Sequence, residues 1–579
     1  MEDSLRAAAM IGRAQPRRPI EPPMPKSVTN SVAARRWDSE VSLLTWLATC
    51  VSVFALLFYY QRGEVLLYGD AVGHINIARR VFDSKTPGLL QLGTVWLPLP
   101  HLLMIPFLVS REMWQRGVGG SLPSMVAYVF GVIGMFRLVR GVFSRNPQPE
   151  PSAHIAAWVA AVIYAANPNL IYMQTTAMGE SVYLALFIWA VVYFAESMRS
   201  DRKSLTKCGL CLAAACLTRY DAWFLAVAMM ATVVVLAFLP GSHAENTVAA
   251  SRPKTAARFL LLASAAPVLW LAYNGIIYRN PLEFENGPYS AKAIERKTQT
   301  PGNPGHPGTG NLLVAGMYFV KSAELNLAEN AWLARGWILL ALAALIAGAR
   351  SFKLSCPSAE RTPMWALLIL LVPVPFYALS VGYGGVPIFV PPWWPFTHYN
   401  VRYGLQLLPA FAAASGVIVY FAIRSRSNTR LRASAVLGVL ALAVASYASV
   451  WRAGPICLQE AQINMRTRNQ LERQVADWLK HLPPQSTLLM YLGDHVGALE
   501  QAGIPLRHVI NEGNHRVWKQ PIDSDGLWER ALANPAAYAD YVVAFDGDPV
   551  WHAVQGRHLF ELVEVHVTGQ ARAVLYRAR

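Results

Sequence analysis

Eleven apolar runs punctuate the chain, most of them close to the ~20 residues that a helix needs to cross a bilayer. They are residues 41–60, 121–142, 153–171, 180–197, 205–218, 222–240, 258–277, 330–349, 362–380, 403–423 and 433–451, with 205–218 the shortest. The polar segments between them alternate in kind. One set is basic: Arg137, Arg140 and Arg145; Arg199, Arg202, Lys203 and Lys207; Arg252, Lys254 and Arg258; Arg350 and Lys353; Arg424, Arg426, Arg430 and Arg432. Loops of this kind stay in the cytoplasm, which predicts an inner N-terminus and an outer C-terminus. The other set is longer and carries Trp, Pro, His and acids: 61–120, 172–180, 219–221, 278–329, 381–402 and everything from about residue 452. Residues 1–40 have no apolar periodicity and read as a disordered cytosolic tail. The first apolar run starts at Val41, late for a cleavable signal, so it reads as an uncleaved membrane helix.

From residue 452 the period changes. Arg466–Leu482 reads as an amphipathic helix, Asp494–Gln501 as a short one, and Thr487–Leu492, Tyr541–Phe545 and Leu562–Val567 as strands. The expected fold is mainly α: a polytopic membrane protein of about eleven spans (41–451) with a small outer, periplasmic α/β domain (452–579). Composition agrees. Charged residues are 15% of the 579 and hydrophobic ones 54%, whereas soluble domains carry about 25% charged. That excludes an ordinary soluble enzyme and a disordered chain. The net charge of +16 belongs to the inner loops and implies no nucleic acid. Cys457 is the single cysteine of the outer segments, so no disulfide is expected there. Cys208 and Cys211 lack the further ligands that zinc requires, and the metal-ligand pattern predicts no site.

The most informative stretch follows the first helix: Gly69-Asp70-Ala71-Val72-Gly73-His74-Ile75-Asn76-Ile77-Ala78-Arg79-Arg80-Val81-Phe82-Asp83. At 100° per residue, Asn76, Arg79, Arg80 and Asp83 share one face and apolar residues the other, which predicts an interfacial helix on the outer membrane surface. Asp70 opens it, as a helix cap or as a chemical group, and His74 lies one turn on. Gln91–Leu103 contains Pro98-Leu99-Pro100-His101 and reads as a broken element. An acid opening an amphipathic segment of the form D-x-x-x-H-x-x-x-A-R, a Pro-Leu-Pro-His element and a Ser121-Leu122-Pro123-Ser124 start to the second membrane helix together resemble the bacterial C-type (GT-C) glycosyltransferases. These are related to protein O-mannosyltransferases and aminoarabinose transferases. The resemblance covers roughly residues 40–420. It implies a polyprenyl-phosphate-linked sugar donor, a bacterial cytoplasmic membrane and a catalytic acid at Asp70. Many relatives carry a second acid next to it, where this chain has Ala71.

Other outer residues fit substrate contacts as well as plain interface anchors. Glu180 opens the fourth apolar run. Arg219 and Asp221 flank Tyr220 at a helix junction. Tyr289 and Lys292 lie in a loop leading to a Pro/Gly-rich stretch, 301–310, that suits a lid. Asn400 and Arg402 close a Trp/Pro-rich loop. A guanidinium binds phosphate bidentately, which makes Arg402 and Arg219 the phosphate candidates. The chemistry so implied is attack of an acceptor hydroxyl on the sugar C1, with inversion, a carboxylate taking the proton. A lipid-linked-glycan flippase or transporter, or a polysaccharide ligase or polymerase, is the alternative. The first would place ionisable groups at the membrane midplane; here they gather at outer ends. In the tail, Asp494, His495, Glu512, Asn514 and His515 look like turn and strand-end residues. No nucleotide cofactor motif is present, and a divalent metal and the acceptor stay open.

Overall fold

The computed structural model describes residues 38–144, 150–198, 202–238, 253–298, 305–354, 363–425, 429–514 and 525–579. The predicted tail up to residue 37, Arg145, Arg199, Arg252, Cys356, Arg426, His515 and the 301–304 part of the predicted lid lie outside them. By internal contacts the chain divides at Leu44, and the larger unit, Thr45–Arg579, holds the bundle and the sheet.

A helix stands at each predicted run. The long helices are α1 (Ser39–Gln61), then, after the first outer segment, α5 (Val118–Phe143), α6 (Pro151–Ala165), α8 (Glu180–Ser197), α9 (Arg202–Cys216), α10 (Asp221–Phe238), α11 (Pro253–Ile277), α14 (Leu312–Leu327), α15 (Ala331–Leu354), α16 (Pro373–Tyr383), α17 (Leu408–Arg424), α18 (Thr429–Ala453) and α19 (Ile456–Leu479). Shorter ones are α2 (Gly69–Arg80), α3 (Pro98–Leu108), α4 (Arg111–Gln115), α7 (Pro168–Met173), α12 (Glu283–Asn286) and α13 (Ala291–Thr298). Among the described residues, eight helical stretches are long and apolar enough to cross a membrane, and the apolar α3, α6 and α10 are shorter. The chain is a multi-pass membrane protein. The predicted run 362–380 is broken: a 3-10 segment, Pro363–Leu371, precedes Pro373, which starts α16, as a ring without an N–H should.

Bundle packing depends on small residues, as expected where lipid removes the hydrophobic drive between helices. At Gly416 on α17, a Cβ would meet Val139 of α5 at 2.9 Å and the Ala156 carbonyl of α6 at 3.0 Å. The contact of α17 with α5 and α6 therefore needs glycine there.

The amphipathic reading of α2 holds as a pattern, but its polar face does not open to water. Asn76, Arg79 and Asp83 are buried. Asn76 bonds the Val72 carbonyl and receives the Trp114 indole N–H, and Arg79 pairs with Asp83 at 2.9 Å. The tail covers them: Arg507 donates to Asp83 through its backbone N–H at 3.2 Å. Pro98 starts α3, so the Pro-Leu-Pro-His element is a helix start.

Beyond α19 lies a five-stranded sheet of order β2-β1-β3-β5-β4, with β1 (Leu488–Met490), β2 (Val509–Ile510), β3 (Tyr541–Phe545), β4 (Phe560–Val565) and β5 (Ala573–Arg577). β1 runs parallel to β2 and β3, and β5 antiparallel to β3 and β4. Its core gathers Leu489, Ile510, Trp528, Val542, Ala544 and Val550.

Candidate active site

A cavity of about 2240 Å3 lies between helix ends, loops and the sheet region, and it is lined by Asp70, His74, Arg80, Glu180, Arg219, Asp221, Tyr289, Lys292, Asn400 and Arg402, all ten predicted site residues.

At its centre is Arg402. Asn400, in a left-handed conformation at φ 55°, turns the chain into a 3-10 segment, Val401–Leu407, ahead of α17. This presents the guanidinium to three carboxylates at once. Nη2 donates to Asp70 Oδ2 at 2.6 Å, Nη1 to Glu460 Oε1 at 2.6 Å and Nε to Glu180 Oε1 at 3.2 Å. Glu460, on the second turn of α19, also accepts the backbone N–H groups of Asn400 and Arg402, each at 3.2 Å. Tyr68 and Tyr403 flank the guanidinium at 5.0 and 5.1 Å from their ring centres, close enough for cation–π attraction.

Glu180 links this group to a second arginine. Arg219 donates to Glu180 Oε1 at 3.1 Å, to Asp221 Oδ2 at 3.0 Å and to the Tyr377 hydroxyl at 3.1 Å. The Tyr377 hydroxyl in turn donates to Asp221 at 3.0 Å. Two guanidiniums thus face four carboxylates. Of these, Asp70 is the open one, its side chain 41% exposed, against 1% for Glu180 and Glu460 and 3% for Asp221. Asp70 is not the cap of α2: Tyr68 holds that place, with no side-chain cap bond, and Asp70 sits within the first turn, where the helix dipole favours a negative charge.

The other predicted residues occupy separate stations. His74 is buried, with Nδ1 2.8 Å from Nε2 of His101 and its ring 4.6 Å from Trp96. One ring must donate and the other accept across this contact. Burial pushes both histidines down, His101 well below the usual range. Arg80 stands 3.7 Å from Glu512, whose carboxyl burial pushes up against the opposing pull of Arg80. Tyr289 is half-exposed, and Lys292 pairs with Glu285 at 2.5 Å. The Asn400 amide donates to the Pro387 carbonyl. Among the described residues, no group of three or more His, Cys, Asp or Glu is placed to hold a metal ion.

Sequence reasoning did not select Glu460, Tyr377 or His101. His101 lay inside the Pro-Leu-Pro-His element. Glu460 lay ahead of the predicted start of its helix, and Tyr377 inside an apolar run.

A family model described as dolichyl-phosphate-mannose-protein mannosyltransferase matches residues 113–271, which contain Glu180, Arg219 and Asp221 but neither Asp70 nor Arg402. No curated protein matches the sequence. Among solved structures, ArnT from Cupriavidus metallidurans in the apo state superposes with a TM-score of 0.54 at 14% identity, over 93% of this chain and 98% of that one. The same protein bound to undecaprenyl phosphate gives 0.50 at 13% identity, over 94% and 99%. The archaeal oligosaccharyltransferase AglB from Archaeoglobus fulgidus, with an inhibitory peptide and a dolichol-phosphate, gives 0.44 at 13%, over 94% and 75%. By its fold the chain is similar to ArnT, and the likeness runs over nearly the whole of both chains.

Proposed function

We propose that the protein transfers a glycosyl group from a polyprenyl-phosphate-linked donor to an acceptor hydroxyl on the outer face of a bacterial cytoplasmic membrane, inverting the anomeric carbon. One observation carries this reading: a half-exposed carboxylate, Asp70, opens onto a large cavity and is fixed by a buried arginine. The mannosyltransferase match and the lipid phosphates bound by the fold's neighbours support it.

The donor already has a good leaving group. As the C1–O bond lengthens, positive charge builds on the sugar and negative charge on the phosphate. The acceptor oxygen attacks C1 from the opposite face, its proton passes to Asp70, and the bonding pair leaves with the polyprenyl phosphate. An ordinary aspartate is a weak base, so proton transfer is late, when the attacking oxygen has become acidic. Arg402 orients the carboxylate, and Arg402 and Arg219 put positive charge beside the departing phosphate. His74, Arg80, Tyr289, Lys292 and Asn400 line the space left for sugar and acceptor.

The test is conversion of synthetic polyprenyl-phosphate sugars by the purified protein, followed by mass spectrometry of the lipid product. Release of free polyprenyl phosphate with the native protein and its loss in Asp70→Asn is the expected result. Normal turnover by Asp70→Asn sinks the assignment.

A further inference from the structure

The two walls of the cavity are built differently. On the bundle side its guanidiniums stand against carboxylates: Arg402 against Asp70, Arg219 against Glu180, and Arg468 of α19 against Glu472. The other wall belongs to the sheet. There β1 runs parallel to β2 on one flank and to β3 on the other, and the chain visits them in that order. In sheets wound this way, ligands bind outside the carboxyl ends of the strands, where the strand order reverses. The segments leaving the carboxyl ends of β1 and β2, 491–495 and 512–514, line the cavity. The binding end of the sheet therefore faces the space that Asp70 opens onto.

These two segments are held in place. Glu512 accepts the Leu492 N–H at 2.9 Å, and the Gln91 amide donates to the Gly513 carbonyl at 2.9 Å. Yet three polar atoms of this wall have no hydrogen-bond partner among the described residues: Nδ1 of His495, Oε1 of Gln91 and Nε of Arg80, which stands beside Glu512. His495 is 7% exposed and Gln91 5%, and all three residues line the cavity. Folded proteins pair nearly all such atoms, so their clustering at one wall points to an occupant. The His495 ring lies 4.3 Å from that of Phe545, and burial pushes its pKa down to about 4. It is neutral at pH 7, and its spare nitrogen offers a hydrogen bond and no charge. Asp494, next to it, is exposed. An N–H, an amide carbonyl, an imidazole nitrogen and a carboxylate together match groups that donate and accept at once, which hydroxyls do. A simple anion would face the carbonyl and the carboxylate. Tyr289 and Tyr491 add aromatic rings to the same cavity, flat apolar surfaces with a polar tip.

We propose that the carboxyl ends of β1 and β2 form the acceptor subsite and that the acceptor is a saccharide, its hydroxyls bound by Asp494, His495, Gln91 and Arg80 and a sugar ring laid on Tyr289 or Tyr491. This rests on the glycosyl-transfer reading and names the class of acceptor that the reading leaves open.

The experiment measures binding of the full-length protein, in nanodiscs free of glycoside detergent, to an array of neutral and N-acetylated mono- to tetrasaccharides that also carries serine- and threonine-containing peptides. No donor is added, so binding does not depend on turnover. The native protein is expected to retain at least one saccharide. Asp494→Ala and His495→Ala should weaken it about tenfold or more, as loss of a hydrogen bond to a buried or charged group does, with the affinity for undecaprenyl phosphate unchanged. Where His495→Ala does not fold, the exposed Asp494→Ala and Tyr289→Ala carry the test. Retention of no saccharide, retention of peptides alone, or saccharide affinity undiminished in every folded variant overturns the proposal. Equal loss of saccharide and undecaprenyl phosphate marks a structural role and overturns it too. Saccharide binding without transfer from any polyprenyl-phosphate sugar removes the reading of function and leaves the site; transfer to a peptide with no saccharide bound removes the site and leaves the reading.

Discussion

Arg402 and Arg468 face one cavity from opposite circumstances. Arg402 is enclosed by Asp70, Glu180 and Glu460 and by two tyrosine rings. Arg468 leans on a glycine, a carbonyl and a thioether, with the Glu472 carboxylate 3.8 Å from its Nε. A guanidinium whose donors are all satisfied by fixed acceptors is a structural keystone that aims its neighbours. One held by a single carboxylate at 3.8 Å and by neutral groups aims nothing. The difference teaches that two guanidiniums lining one cavity can be held very differently, so each one's partners must be counted before it is given a role.

The sharpest way to break this contrast is at the carboxylate that Arg402 aims. Asp70→Asn keeps an oxygen for Arg402 but cannot accept a proton, so turnover should fall by about 10²–10⁴-fold with the folded protein intact, read from product formation and the melting curve together. Arg402→Met should act on stability instead. It strands the buried Glu460, leaving Glu180 to Arg219 alone, and breaking a buried ion pair from one side costs about 3–5 kcal/mol; a thermal melt would show a large drop. An unchanged melting temperature would remove the keystone role.

A smaller effect separates the histidine station from both arginines. His101 and His74 are held below the ordinary value of 6.5 by burial. The unfolded chain therefore takes up these protons first, and stability that is complete above about pH 6.5 is lost as the pH falls toward the folded values. Glu500 and Glu512, pushed up by burial, run the other way, so native protein and variant must be compared at each pH. His101→Asn, which does not titrate, should lose less melting temperature than the native protein between pH 7 and pH 5. Equal losses would refute the histidine assignment. The smallest effect belongs to Arg572→Ala, on the exposed face of the sheet domain with Asp546 and Glu564: neither turnover nor binding should move.

Apolar period was enough to place most helices of the bundle, because a spanning helix writes its own length into the sequence; α14 was missed, lying within 278–329, which reads as a loop. The strand Tyr541–Phe545 was legible for the same local reason. β2 has two residues, too few to show alternation, and β5 was passed over although its first three residues are buried. The polar face of α2 was read correctly in composition and wrongly in exposure, since the surface covering it comes from residues about 400 positions later, such as Arg507 and Glu500. The site shows the same division. The individual residues Asp70, Glu180, Arg219 and Arg402 stood out by their positions at outer helix ends. That Arg402 meets Asp70 across 332 residues is tertiary information that no local pattern carries. Glu460 and Arg468 lie on a helix whose predicted start, Arg466, was ten residues later than its actual one.

Glu460 makes the opening turns of α19 an internal strut of the cavity. A shortened protein ending after the last bundle helix would lose the brace behind Arg402 together with the sheet. The bundle and the appended sheet are thus not interchangeable modules: a chimera that swaps the sheet for another must retain Ile456–Glu472, or Arg402 would lose its support.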